Sequence, residues 1–185
     1  MTVPPDAAAL LAAAHAELAR MPGVLAGLVA GLDDAGWRAR PAPSEWAPVE
    51  ILCHLRDEES EDFGARLRVI LDGTSEFAPI DPERWAVERR YREERLTDAL
   101  GALRARRQAS LDLLASVAPA TLAGARPLGR SGRLSGLDLL AAWVAHDRIH
   151  LAQLTGSLAR IWAMRWAPLR AEYAGPIPYS PDARR

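Results

Sequence analysis

Leu139-Leu140-Ala141-Ala142-Trp143-Val144-Ala145-His146-Asp147-Arg148-Ile149-His150-Leu151-Ala152-Gln153-Leu154 carries most of what this chain says about its own fold. Leu140, Trp143, Val144, Leu151, Leu154 and, beyond the quoted stretch, Leu158 recur at the spacing of one helical face, without the alternation of a strand. Ser135 ahead of them is a good N-cap. His146 and His150 stand four residues apart, about 40° apart around a helix and one turn along it. Two imidazoles so placed reach one metal ion without backbone distortion. Both lie on the flank of the apolar arc, and Asp147 falls near its middle. A carboxylate there needs a partner, because an unpaired buried charge costs several kcal/mol. Arg107, within the Leu96–Leu100–Leu103–Leu114 stripe, is the first candidate, with Arg66 and Arg104 as others. A structural ion pair is expected of Asp147 in preference to a catalytic role.

Working outward, three further helices are predicted. One starts after Pro4-Pro5-Asp6, with Asp6 as N-cap, and Pro22 is expected to kink it or split it in two. Asp33 to Pro48, with three prolines and Gly36, reads as a loop. A second helix follows Pro48 to about Leu71, its apolar face formed by Ile51, Leu52, Leu55, Phe63, Leu67 and Ile70. Asp72 to about Arg90 is a long connection of the kind that often covers a site. The third helix spans roughly Arg92 to Val117, and a Gly- and Arg-rich loop, Gly124 to Gly132, precedes the fourth. The tail after Pro168 is expected to be irregular and frayed. The fold class is all-α, a four-helix bundle forming a single domain over residues 1–185.

Composition narrows the chemistry. The 185 residues, 49% hydrophobic and 25% charged, suit a globular domain with its own core. A net charge of −1 gives no sequence-wide attraction to nucleic acid or an anionic membrane. All 23 basic residues are Arg, so Schiff-base and P-loop lysine chemistry is excluded, and without Asn there is no N-glycosylation site. The lone Cys53 excludes an internal disulfide and reads as a buried filler. Neither a secretory signal nor a membrane-length apolar run is present, and a cytoplasmic location is expected.

Of the four histidines, His54 joins the pair by sitting at the margin of the second helix's apolar face. Three imidazoles at the borders of packed faces line a cavity, or they simply flank their helices on the surface. As ligands they leave coordination positions open, which is the arrangement of a catalytic centre. Zn²⁺ suits three neutral imidazoles, and Ni²⁺, Fe²⁺ and Co²⁺ do too. Glu58, one turn after His54, is placed to act as general base or to form a salt bridge on a solvated face. Trp46, Trp85 and Trp143 are candidates for a pocket lining or for core. Trp162 and Trp166 read as packing against the tail.

Trp46-Ala47-Pro48-Val49-Glu50-Ile51-Leu52-Cys53-His54-Leu55, the following Asp57-Glu58-Glu59, and Ala145-His146-Asp147-Arg148-Ile149-His150-Leu151-Ala152-Gln153 resemble the DinB-like superfamily of four-helix-bundle metalloproteins, the DinB/YfiT-like type. Arg106-Arg107 and Gly132-Arg133-Leu134-Ser135 also fit. The resemblance covers nearly the whole chain and places the family's three metal histidines on His54, His146 and His150. It implies an up-up-down-down bundle with a long crossover, often a homodimer, and in characterised members conjugation of low-molecular-weight thiols such as bacillithiol or mycothiol. The leading expectation is therefore a metal-dependent thiol S-transferase with a small thiol and an electrophile as partners and Glu58 as proton acceptor. Metal-assisted hydrolysis and a non-enzymatic metal- or ligand-binding stress protein are the alternatives.

Overall fold

Caps and prolines set the limits of the helices. The computed structural model describes residues 6–73 and 76–177. Asp6 accepts a hydrogen bond from the Ala8 amide (3.0 Å) and opens α1, Ala7–Val29. The expected break at Pro22 does not occur, and α1 runs through as one helix with the proline buried inside it. Pro22 has no amide to donate to the carbonyl four residues back. That carbonyl, Leu18 O, accepts from Arg107 Nη1 (3.1 Å) instead, so the interruption is repaired by another helix.

The expected loop before Pro48 contains a short α2, Asp34–Arg38. Pro48 then heads α3, Pro48–Glu58, where the Glu50 carboxylate accepts from the Ala47 amide (2.8 Å). The second long helix is not regular. After α3 comes a π-helical turn, Glu59–Phe63, and then α4, Gly64–Asp72, which Gly73 ends in the left-handed region at φ 81°. On an unbroken helix Leu55 and Phe63 would be about 80° out of phase. The wider turn takes up that difference, which is why both are buried.

The crossover also carries structure: α5, Pro82–Glu88, is capped by Asp81 and packs on α3. Helix α6 spans Leu96–Ser116. The Gly- and Arg-rich segment, read as a loop, holds a small antiparallel hairpin of β1, Ala125–Pro127, and β2, Arg133–Ser135, with Arg126 opposite Leu134. Ser135 caps α7, Gly136–Arg165, as expected: its Oγ accepts from the Asp138 amide (3.1 Å) while Asp138 accepts from the Ser135 amide (3.2 Å). The tail beyond residue 177 lies outside the described residues.

Two apolar clusters fill the bundle. The first half of α1, α4, the last half of α6 and the start of α7 build one, through Leu18, Leu67, Ile70, Leu114, Leu139 and Trp143. The opposite halves build the other, through Leu25, Leu52, Leu55, Leu103 and Leu154. Thus α1 and α7 run one way, and α3–α4 and α6 the other. The four-helix bundle and the long crossover stand as expected. The up-up-down-down order becomes up-down-down-up along the chain, because residues 30–47 fold back across one end and only the crossover makes a parallel step. Apolar periodicity reads the same in both directions, so it carries no information on that order.

Candidate metal centre

At mid-height, between the two apolar clusters, α3 and α7 face each other through polar side chains. His54 comes from the middle of α3, and His146 and His150 from the middle of α7. His54 Nε2 lies 3.0 Å from His150 Nε2 and 3.2 Å from His146 Nε2. Three ligand nitrogens of these residues all fall within 4.8 Å of one another. Nitrogens at the corners of a tetrahedron around an ion with bonds of 2.0–2.1 Å stand about 3.3 Å apart. The spacing therefore fits one small divalent ion, with three imidazoles as its donors. The three predicted ligands are brought together.

His54 is more enclosed than its marginal place on the helix face suggests, whereas His146 and His150 are half-buried, in keeping with theirs. His54 is 5% exposed, because α6 and the crossover cover the other sides of α3. Burial drives its pKa down to about 3, against the opposing pull of Glu58. Burial, followed by the neighbouring His146, lowers that of His150 to about 4. Both rings are thus neutral near pH 7 with lone pairs free for an ion. Gln153, one turn beyond His150, accepts from its Nδ1 (2.7 Å), which leaves Nε2 to face the centre. Among the described residues, His54 and His146 have no hydrogen-bond partner at Nδ1. They are held by ring contacts instead: Trp46 to His54 at 4.9 Å and Phe63 to His146 at 5.0 Å between centroids.

Glu58 is the fourth member. It is 5% exposed and not on a solvated face, with Oε2 2.9 Å from His146 Nε2 and Oε1 3.6 Å from His54 Nδ1. Burial raises its pKa, but the bond from His146, with the nearby imidazoles, outweighs that and holds it below the ordinary carboxylate value. An ionised carboxylate within reach of the three nitrogens can accept a proton or add an oxygen ligand.

A second polar cluster lies directly behind. Asp147, next to His146, meets Arg107 of α6 in a bidentate pair, 2.7 and 3.0 Å, as expected from the sequence. Arg66 pairs with Asp62 instead. Arg107 Nη2 also lies 2.7 Å from Oε2 of Glu59, which accepts a further bond from Trp143 Nε1 (3.0 Å). Trp143 is thus core, whereas Trp46 lies at the centre. The sequence places Phe63 on the apolar face of the second helix and not at the centre, and it offers Glu59 and Gln153 within the resembling motifs without a role for either. The i, i+3 spacing of His150 and Gln153 is a usable signal; Glu59 and Phe63 depend on the π-turn, which has none.

The sequence pattern of the DinB superfamily matches residues 17–154. No curated protein matches the chain. A solved structure similar to it is that of YfiT from Bacillus subtilis, described as "a probable metal-dependent hydrolase with an unusual four-helix bundle topology". The two share 18% identity over 85% of this chain and 89% of that one, with a TM-score of 0.73, a likeness of fold.

Proposed function

This chain belongs to the DinB superfamily, and on that premise we propose that it is a divalent-metal enzyme transferring a low-molecular-weight thiol to an electrophile. His54, His146 and His150 are the residues that would hold the ion, zinc best suiting three neutral imidazoles. A bound divalent ion would favour the deprotonated, nucleophilic form of a thiol brought to it. Glu58 accepts the thiol proton at its carboxylate. The sulfur–carbon bond forms as the bond from carbon to the leaving group breaks, and the leaving group departs with the electron pair. Trp46 packs on the His54 ring and Phe63 on the His146 ring.

The observation that carries this reading is the ionised Glu58 carboxylate 2.9 Å from a ligand nitrogen, a base poised beside three converging imidazoles. The test is halide release from a haloalkyl fluorophore by zinc-loaded protein with cysteine, bacillithiol or mycothiol. Thiol-dependent turnover that falls at least a hundredfold in Glu58→Gln, with zinc content unchanged, is expected. No turnover with any thiol overturns it. A second reading, hydrolysis, draws on the description of YfiT and on the same base, which can equally take a proton from water. Ester or amide cleavage without thiol, lost in Glu58→Gln, would select it.

A further inference from the structure

One guanidinium ties all four long helices together at the height of the histidines. Arg107 stands on α6 and is 2% exposed. Its Nη1 donates to Asp147 on α7 and to Leu18 O on α1, and its Nη2 meets Asp147 and Glu59, the latter on the π-turn that continues α3. The α1 contact exists because of Pro22, which deprives Leu18 O of its own helix's donor. The two carboxylates are the neighbours in sequence of His146 and Glu58. A residue next to an inward-facing one on a helix points about 100° away. Fixing the direction of Asp147 therefore fixes the rotation of His146 and His150, and fixing Glu59 does the same for Glu58 and, one turn back, His54.

We propose that Arg107 is a positioning residue for the metal centre: through Asp147 and Glu59 it sets the relative rotation of the two helices whose histidines would hold the ion. This rests on the metal-binding reading above. The need for such a device is visible in the centre itself, since among the described residues neither His54 nor His146 has a hydrogen bond at Nδ1 to orient its ring. In most metal sites that task falls to a group bonded to the imidazole. Here the orientation is imposed a step farther back, on the helices. The π-turn belongs to the same device, because it opens where Glu58 must face the histidines and Glu59 must face Arg107. Its widened turn then brings Phe63 onto Trp143, with ring centroids 5.3 Å apart, and onto His146.

The test uses the full chain and Co²⁺, whose visible absorption reports the geometry of its ligands. Wild type, Arg107→Met, Glu59→Gln, Asp147→Asn and the core control Leu114→Ala are compared by apo-protein melting, Co²⁺ affinity in competition with a chromophoric chelator, and the Co²⁺ spectrum. The expected result is a loss of affinity of about tenfold or more and an altered spectrum for the three cluster variants. Leu114→Ala should melt lower yet bind with wild-type affinity and spectrum. If Arg107→Met does not fold, the near-isosteric Glu59→Gln and Asp147→Asn decide. Wild-type spectra and affinities in both of these overturn the proposal, whatever their melting points. A wild-type protein that fails to bind Co²⁺ at all overturns the metal reading, and this proposal with it.

Discussion

Two polar clusters share the middle of this bundle and are resolved in opposite ways. Around Arg107, opposite charges meet within the chain: Asp147 on both oxygens and Glu59 through its Oε2 with Arg107 and Trp143, while Glu59 Oε1 and Arg107 Nε have no hydrogen bond among the described residues. Around His54, His146 and His150, three Nε2 atoms converge on one another and on a carboxylate, and burial holds two of the rings neutral. One residue in sequence separates them on each helix, His146 from Asp147 and Glu58 from Glu59. Burial and charge alone do not distinguish architecture from chemistry. What distinguishes them is whether opposite charges pair with one another inside the protein or several ring nitrogens converge on one point.

The sharpest way to break the comparison is Arg107→Met. It strands two buried carboxylates and is expected to cost about 3–5 kcal/mol in urea denaturation of the apo-protein. A cost under about 1 kcal/mol would mean that the cluster is not architectural. Next comes His146→Ala, which should reduce bound zinc from one ion per chain to a trace while changing apo stability little. Zinc at a hundredfold excess over its Kd should stabilise the wild type by about 2.7 kcal/mol and leave this variant unmoved.

Acid sharpens the contrast further. His54 and His150 have folded pKa values of about 3 and 4 against 6.5 ordinarily. Below pH 6.5 the unfolded chain takes up protons that the folded chain refuses, so apo stability falls as pH falls. The loss runs from pH 6.5 to about 4 for His150 and to about 3 for His54, and neither contributes above pH 6.5. His150→Gln should roughly halve the slope of the urea midpoint against pH between 6 and 5. An unchanged slope would show that the rings are not held neutral. The smallest effect is expected at the surface, where Arg84→Gln breaks the exposed Arg84–Glu88 pair. Its melting curve should superimpose on that of the wild type.

Much of this was legible in the residues. The His146–His150 spacing, Ser135 as cap, Asp6 as cap and the need of Asp147 for Arg107 all follow from local rules: a helix has a fixed pitch, a first turn with free amides, and an inward face that tolerates no lone charge. What was misread depended on distant partners. Pro22 reads as a kink or a split because its missing bond is visible in the sequence, and the split does not occur because the guanidinium that satisfies Leu18 O stands 89 residues beyond that carbonyl. Glu58 was weighed as a solvated side chain because its covering helix, α7, is not its neighbour in sequence.

Taken alone, the sequence determined the four long helices, their inward faces and the His146–His150 pair, since helical geometry converts spacing directly into direction, and the family resemblance added His54. Only the tertiary structure decided that α3 and α7 run antiparallel with residue 54 beside residue 150, that a π-turn re-phases the second helix, and that Arg107 joins all four. The reason is physical: periodicity tells each helix which side to bury, but registration between helices is settled where side chains from different helices compete for the same few bonds.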